Sequence, residues 1–545
     1  MMTGAAAMVR CLEAEGVQVL YGYPGAAICP FYDQLAESAL HHVLVRTEQN
    51  AAHAASGYAR ISGRVGVCVA TSGPGATNLL TGIASAYMDS IPLVVITGQV
   101  RSDLLGRDVF QEADITGAAE PFTKHSYIVS RASDRAADIP RVFKEAFHIA
   151  GTGRPGPVLI DIPIDMQQKT LPDFVYGDIP VDIIGYKPRT QGHGLQIKKA
   201  AQAIAAAKRP VVCAGGGVFS SHAEHALRAL VEACKLPTVT TMMGIGALPS
   251  AHPLYLGMLG SHGCPPANKA IRDADLVIMA GARAGDRAMA APGQIATRAK
   301  VIHIDIDPAE IGKNLPAHIP IVGDLRLVLE SLCSIVNATA PTEWVEAVTD
   351  RKKRYAAKVI PPVDGYVEPK TFMRALSRAM ADDAVLCADV GQNQIWSANH
   401  FEIRDGRFLT SGGMGTMGYS IPCAVGAKMA DPRRQVCAVC GDGSFQMSMM
   451  ELGTICQEQI GVKIIVMRNA RLGMVRELQD NQYHGVHSGV YLDGSPDFVK
   501  LAGAYGIPAR RVASNQEAEQ ALAEMWADDR PYLLECTVDP DYPSL

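Results

Sequence analysis

The chain has 545 residues, 48% hydrophobic and 19% charged, a globular composition with room for three or four domains. Its 50 Lys plus Arg against 55 Asp plus Glu leave a net charge of −5, which excludes a general binder of the nucleic-acid backbone. No apolar run reaches the roughly 18 residues of a membrane span, and residues 1–16 lack the basic-then-apolar order of a signal peptide. The expectation is a cytoplasmic protein with neither a nucleic-acid nor a membrane partner. The 13 scattered cysteines, such as Cys68 and Cys213 in apolar runs, fit reduced, buried thiols. Cys437 and Cys440 form a C-x-x-C inside a run that reads as a strand. Positions three apart on a strand point to opposite faces, so packing is expected there rather than redox or metal chemistry.

Residues 1–16 carry a mixed helical pattern. Apolar runs follow at 65–70, 93–97, 158–162, 210–214, 276–280, 301–306, 385–388, 436–439, 463–467 and 532–538. Ala-rich stretches with helical spacing lie between them, for example 197–207 and 372–380. Continuous apolar strands alternating with helices predict α/β architecture, with parallel sheets covered on both faces. Stretches rich in Pro and Gly at 167–194 and 355–369 read as linkers. Cutting there gives three doubly wound units, 1–166, 190–336 and 367–545. Units one and three share a plan of strand, Gly-rich turn and helix (VGVCVATSGPGATN and VCAVCGDGSFQMS).

Each unit carries a candidate site. Glu48 follows the apolar run HVLV and opens a helix, where a carboxylate complements the helix dipole. In the middle unit, VVCAGGG places three glycines after a strand, which suggests a contact to a nucleotide diphosphate. The acidic end of IHIDID suits a ribose hydroxyl. In the third unit, GDGSF follows the strand QVCAVC, and Asn469 ends the next strand, KIIVM. Asp442 and Asn469 are 27 residues apart, one strand–helix–strand unit, so both fall at carboxyl ends of neighbouring parallel strands. Gly441 and Gly443 let the backbone approach an anion. A carboxylate, an amide oxygen and a backbone carbonyl are hard ligands that suit octahedral Mg²⁺ together with diphosphate oxygens and water.

GDG followed by Asn at this spacing resembles the signature of thiamine diphosphate enzymes. The segment NARLGMV resembles acetolactate synthase (acetohydroxyacid synthase) large subunits, and the resemblance covers nearly the whole chain. It implies pyrimidine-binding, FAD-binding-like and diphosphate-binding domains, in that order. It also implies an enzyme that decarboxylates pyruvate and joins the hydroxyethyl unit to a second 2-keto acid, pyruvate or 2-ketobutyrate. That reaction lies on the route to valine, leucine and isoleucine. The implied cofactors are thiamine diphosphate, Mg²⁺ and a structural FAD.

By this resemblance Glu48 is the proton-relay carboxylate beside the aminopyrimidine, which Pro74 and Asn78 approach. Phe110 and Gln111 take active-site positions, with Gln111 facing the reacting carbon. The Gly415 carbonyl would accept from the 4′-amino group, and Met417 would wedge between the cofactor rings. Val390, Gly391, Gln392 and Asn393 match the diphosphate-contacting segment, with Asn393 in place of the usual His. Gly441, Gly443, Ser444, Gly473 and Met474 complete that set, and Asp442, Asn469 and the backbone at Arg471 would hold the metal. Arg154, Gly215, Gly216, Gly217, Thr241, Met242, Gly260, His262, Gly281, Arg283, Asp305, Ile306 and Asp324 match the flavin contacts. The resemblance implies a homodimer or homotetramer, the relay glutamate of one subunit facing the metal site of another, and leaves room for a small regulatory subunit.

The departures fall in the pocket for the second substrate. Ser261 stands where the family has Met, Leu478 where it has Trp, and Ile164 where it has Lys. Its Phe-Asp-Asp-Arg reads Ala284-Gly285-Asp286-Arg287, so Arg287 keeps a guanidinium for an acceptor carboxylate. A wider pocket with weaker selection among acceptors is expected; one methylene is worth only about 1–3 kcal/mol. The chain ends at DPDYPSL, short of the arm that closes over the site in many relatives. The same motifs fit a different carboligase, a decarboxylase, a pyruvate oxidase or a non-catalytic cofactor-binding scaffold.

Overall fold

The computed structural model describes residues 2–129, 136–171, 174–177, 179–355, 361 and 363–545. The two expected linkers lie partly outside the described residues, at 172, 173, 178, 356–360 and 362. Three six-stranded parallel sheets follow one another along the chain. In space the first runs His41–Leu44, Val19–Tyr23, Gly66–Ala70, Leu93–Gln99, Pro157–Pro163, His125–Ile128. Numbered along the chain, that order is 2-1-3-4-6-5. The third sheet repeats it with Arg407–Leu409, Val385–Ala388, Val436–Gly441, Val462–Arg468, Tyr532–Thr537 and Ala509–Val512. The middle sheet differs. Its order is Tyr255–Met258, Thr238–Thr240, Pro210–Ala214, Leu276–Ala280, Lys300–Asp305, Ile319–Val322, or 3-2-1-4-5-6. That is the order of doubly wound dinucleotide-binding folds.

Every expected strand forms, within one or two residues at its ends. Among the described residues, the strands absent from the sequence reading include all six sheet edges. Their sequences explain this: HHVL, HSYI and ARRV are half polar, because an edge strand is solvated on one side. The two inner strands also unpredicted, Val19–Tyr23 and Thr238–Thr240, are interrupted by Gly22 or only three residues long. The helical stretch expected after Asp442 is broken into Asp442–Ser448, a 3-10 turn Met449–Glu451 and Leu452–Gln457. The break turns Glu451 into the interior, where it is used.

Local chemistry explains the helices. Pro369–Ala379 starts with Pro at its first position, and the Glu368 carboxylate accepts from the Lys370 and Thr371 amides. Phe372, Met373 and Leu376 fall on one face and are fully buried, about 1.5–3 kcal/mol each. Cys437 and Cys440 pack into different core clusters on opposite faces of their strand, and all cysteines are free thiols.

Units one and three share a core. Helix Glu48–Ser62 of unit one lies against helix Ser420–Ala430 of unit three, and one apolar cluster contains Ala51, Ala54 and Tyr58 with Ile421, Ala424 and Ile464. Gly57 and Gly426 bring the two backbones into direct contact. The middle unit has separate clusters of its own.

Candidate active site

The strand order of the third sheet reverses between Val385–Ala388 and Val436–Gly441, which opens a crevice at their carboxyl ends. Two loops enter it. Asn393, after the first strand, donates through Nδ2 to the carbonyls of Asp389 (2.8 Å) and Val439 (3.2 Å), so it stitches the loops together. Asp442, after the second, accepts from the amides of Gly443 (3.0 Å) and Ala470 (2.6 Å). Its side chain is almost fully buried, and burial pushes its pKa up to about 6. A divalent cation would remove that burden. Ala470 holds φ at +56°, a left-handed conformation that non-glycine residues rarely adopt. This strained turn aims the Ala470 amide at Asp442 and sets Asn469 beside it.

Asn469 donates through Nδ2 to Gln392 Oε1 at 2.9 Å, and its Oδ1 accepts from the Arg471 amide at 3.1 Å. Ser444 Oγ accepts from the Gly441 amide. A Cβ on Gly473 would lie 1.9 Å from Gln392 Oε1, so any larger residue there would displace the Gln392 amide. One on Gly443 would meet Leu472 at 2.7 Å and Met417 Cε at 3.5 Å. Gly415 holds φ at +68° in an open turn, while Val390, Gly391 and Met474 sit half-buried around the crevice. Among the described residues no three His, Cys, Asp or Glu side chains cluster to hold a metal. A metal here would rest on one carboxylate, one amide oxygen, the backbone and its own anionic ligand, which is the chemistry of Mg²⁺.

The second group belongs to unit one. Glu48 is the first residue of its helix, and its Oε2 accepts from Asn78 Nδ2 at 2.9 Å. Asn78 ends the short helix that Pro74 opens. Gly75 lacks the Cβ that would come within 3.3 Å of Glu48 Oε1. Gln111, itself at φ +58°, backs onto Gly73, whose Cβ would lie 2.9 Å from that of Gln111. Glu48, Pro74, Asn78 and Gln111 therefore gather on one rim. Phe110 does not join them; its side chain stands out from the chain, 86% exposed. No hydrogen bond or ion pair joins the Glu48 group to the Asp442 group among the described residues.

A cavity of about 710 Å³ opens at the strand-order reversal of the middle sheet. Arg154, Gly216, Gly217, Thr241, Met242, His262, Gly281, Arg283, Asp305, Ile306 and Asp324 line it. Gly215 and Gly260 do not line it; they act one layer back. A Cβ on Gly215 would lie 2.3 Å from the Gly281 carbonyl oxygen, and one on Gly260 2.2 Å from that of Arg287. These glycines let the cavity's loops close-pack. Burial pushes Asp305 up to about 6. Arg154 pairs with Glu310 (3.0 Å) and Asp307 (3.3 Å), and Arg283 donates to the Met88 carbonyl of unit one. Glycine loops, half-buried guanidiniums and an acid at the end of a strand suit an elongated dinucleotide, and the volume is ordinary for a cofactor site. Arg287 lies on the rim, its side chain 80% exposed and 3.7 Å from Asp286.

Three family models cover most of the chain. They are the thiamine pyrophosphate enzyme N-terminal TPP-binding domain (residues 2–118), central domain (197–332) and C-terminal TPP-binding domain (389–536). A Methanococcus aeolicus protein named "Probable acetolactate synthase large subunit" is 47% identical, over 99% of this chain and 92% of its own. The acetolactate synthase large subunit of Corynebacterium glutamicum is 45% identical, over 99% and 87%. The Escherichia coli (strain K12) acetolactate synthase isozyme 2 large subunit is 42% identical, over 99% and 96%. The chain belongs to the acetolactate synthase large-subunit family.

Within this family fold, two residues outside the motifs matter to the geometry. Asp389, fully buried, accepts from the amides of Val390, Gly418 and Ser420, and so shapes the turn that carries Gly415 and Met417. Its position after an apolar strand was the available signal. Glu451 of unit three accepts from the Arg46 amide and Asn50 Nδ2, each at 2.9 Å, and so tethers the first turn of the Glu48 helix. No local pattern marks it. Of the departing positions, Ala284 is packed into the core of the middle unit, Ser261 and Leu478 are exposed, and Ile164 starts a short helix. Among the described residues no helix is long and apolar enough to cross a membrane.

Proposed function

We propose that this chain is the catalytic subunit of an acetolactate synthase, decarboxylating pyruvate and transferring the two-carbon unit to pyruvate or 2-ketobutyrate. The observation that carries the reading is that one chain of this family presents both halves of the site, the Glu48–Asn78 rim and the Asp442–Asn469 crevice. On this reading the units 1–166, 190–336 and 367–545 serve pyrimidine, flavin and diphosphate. The chemistry supplied by bound thiamine diphosphate is an electron sink for loss of CO₂.

The chain's own residues do the rest. The Glu48 carboxylate, oriented by Asn78, holds a proton toward the pyrimidine ring nitrogen. Asp442, Asn469 and the backbone at Arg471 would hold Mg²⁺ against the diphosphate. Gln111, fixed by its left-handed backbone, presents an amide to the substrate. Arg287 offers two parallel N–H bonds to the acceptor carboxylate. FAD would occupy the middle cavity as a structural element. The assembly is a homodimer or homotetramer in which Glu48 and the exposed Phe110 face a second subunit's crevice. The relatives' "large subunit" names support a small regulatory partner, and the setting is cytoplasmic.

The test is to incubate the purified protein with pyruvate, Mg²⁺, thiamine diphosphate and FAD. Acetolactate is the expected product. Release of CO₂ without acetolactate would reject the synthase, and flavin reduction at the catalytic rate would select an oxidase. Competition between pyruvate and 2-ketobutyrate reads the acceptor preference.

A further inference from the structure

Residues 539–544 fold back onto the third unit beside the Asp442 crevice. Side chains of the third unit hold them. Trp396 Nε1 donates to the Pro543 carbonyl at 2.9 Å, and the Trp396 and Tyr542 rings meet edge-on. Tyr542 Oη donates to Glu368, and Arg476 pairs with Asp541. Glu477 accepts from both the amide (2.7 Å) and the hydroxyl (2.6 Å) of Ser544. Tyr542 and Ser544 are buried.

The same contacts reach the crevice through Gln392. Its Nε2 donates to Glu477 Oε1 (2.8 Å) and to the Tyr542 carbonyl (2.9 Å). Both of those partners only accept, so they fix which end of the Gln392 amide is nitrogen. Gln392 Oε1 is thereby forced toward Asn469 and accepts from Asn469 Nδ2. Asn469 must then present its nitrogen to Gln392 and keep its oxygen on the other side. Without Gln392 only the bond from the Arg471 amide to Oδ1 would orient the Asn469 amide, and a flipped form would aim an N–H pair at the metal. Gly473 leaves the space this bond requires, since any Cβ there would overlap Gln392 Oε1.

We propose that segment 539–544 is a positioning strap that acts through Glu477 and Gln392 to keep the Asn469 amide oxygen facing the metal–diphosphate site. This rests on the reading of Asn469 as a metal ligand. Partners one layer behind a metal ligand typically set 10–100-fold in metal affinity.

The experiment measures Mn²⁺ binding by electron paramagnetic resonance, with thiamine diphosphate present and no substrate. Removing residues 541–545 is expected to weaken Mn²⁺ binding about 10–100-fold. Gln392→Leu in the full-length chain is expected to do the same, and serves if the shortened chain does not fold. In an Asn469→Asp background both side-chain oxygens accept, so orientation no longer matters, and either change should cost less than about twofold. Equal weakening in both backgrounds would mean general loosening and would overturn the strap, as would unchanged binding in the parent. Asn469→Ala separates the two readings. If it leaves Mn²⁺ affinity unchanged, the ligand assignment fails and the strap with it. If it weakens binding while the other changes do nothing, only the strap fails.

Discussion

The contact between units one and three is sharp enough to predict the effect of a single methyl group. A Cβ added to Gly57 would lie 2.0 Å from the Cys423 carbonyl oxygen, and one on Gly426 1.8 Å from that of Ala54. Both clashes are with backbone, so neither side can rotate away, and Gly57→Ala must part the helices by about 1 Å. The bonds that cross the same contact would stretch with it. Arg60 donates to the Thr410 carbonyl at 2.8 Å and to Tyr419 Oη at 3.1 Å, and Ser56 Oγ lies 2.9 Å from Tyr419 Oη. Overpacking costs about 1–3 kcal/mol. A strained or broken buried hydrogen bond adds about 1–3 kcal/mol, so the expected loss is roughly 2–6 kcal/mol. The shift also displaces Glu48, and about 1 Å of misplacement is worth on the order of 100-fold in turnover. Denaturation by urea and steady-state assays would read both effects. Gly503→Ala is the control: a helical glycine with nothing within 4 Å of its added Cβ, expected to stabilise by about 0.5–1 kcal/mol. An unchanged midpoint in Gly57→Ala, or an equal fall in the control, would refute the reasoning.

Glu48→Gln should lower kcat by about 10²–10⁴-fold while thiamine diphosphate still binds; normal exchange of the cofactor's C2 proton in that variant would remove Glu48 from its role. Arg287→Gln should raise KM for the acceptor about 10–100-fold with CO₂ release from pyruvate nearly unchanged, since one charge-assisted bond is lost; an equal fall in both would argue against an acceptor role. Asp161 is buried between Thr97 and Gln99, and burial pushes it up to about 7 from 3.8. The folded state then binds the proton more tightly, so this group makes the fold more stable as pH falls from 7 to 4; Asp161→Asn should flatten that part of the urea-midpoint profile. His53 has both ring nitrogens buried without hydrogen-bond partners among the described residues, and burial lowers it from 6.5 to about 4. Its sign is opposite: stability is lost as pH falls below 6.5, and His53→Leu should raise the midpoint at pH 5 relative to pH 8.

Much of this protein was legible in one dimension. Runs such as LVVI (93–96) and IIVM (464–467) are apolar on both strand faces, and only an inner strand of a covered parallel sheet accommodates that. The GDG turn and Asn469 were readable as a pair because one strand–helix–strand unit separates them, and local geometry suffices to bring their strand ends together. Gly216 and Gly217 of the middle cavity follow a strand closely, so their place in a βα turn was readable for the same reason. Tertiary structure alone decided the rest. Edge strands such as ARRV depend on a neighbour for their conformation, not on their own pattern. Glu451 meets Asn50 across 401 positions, and Gln392 meets Tyr542 across 150. Periodicity and spacing encode what a chain does within one βαβ unit. Contacts between units depend on how three separately formed sheets pack, and only that packing shows which buried carboxylate, amide or glycine the site leans on.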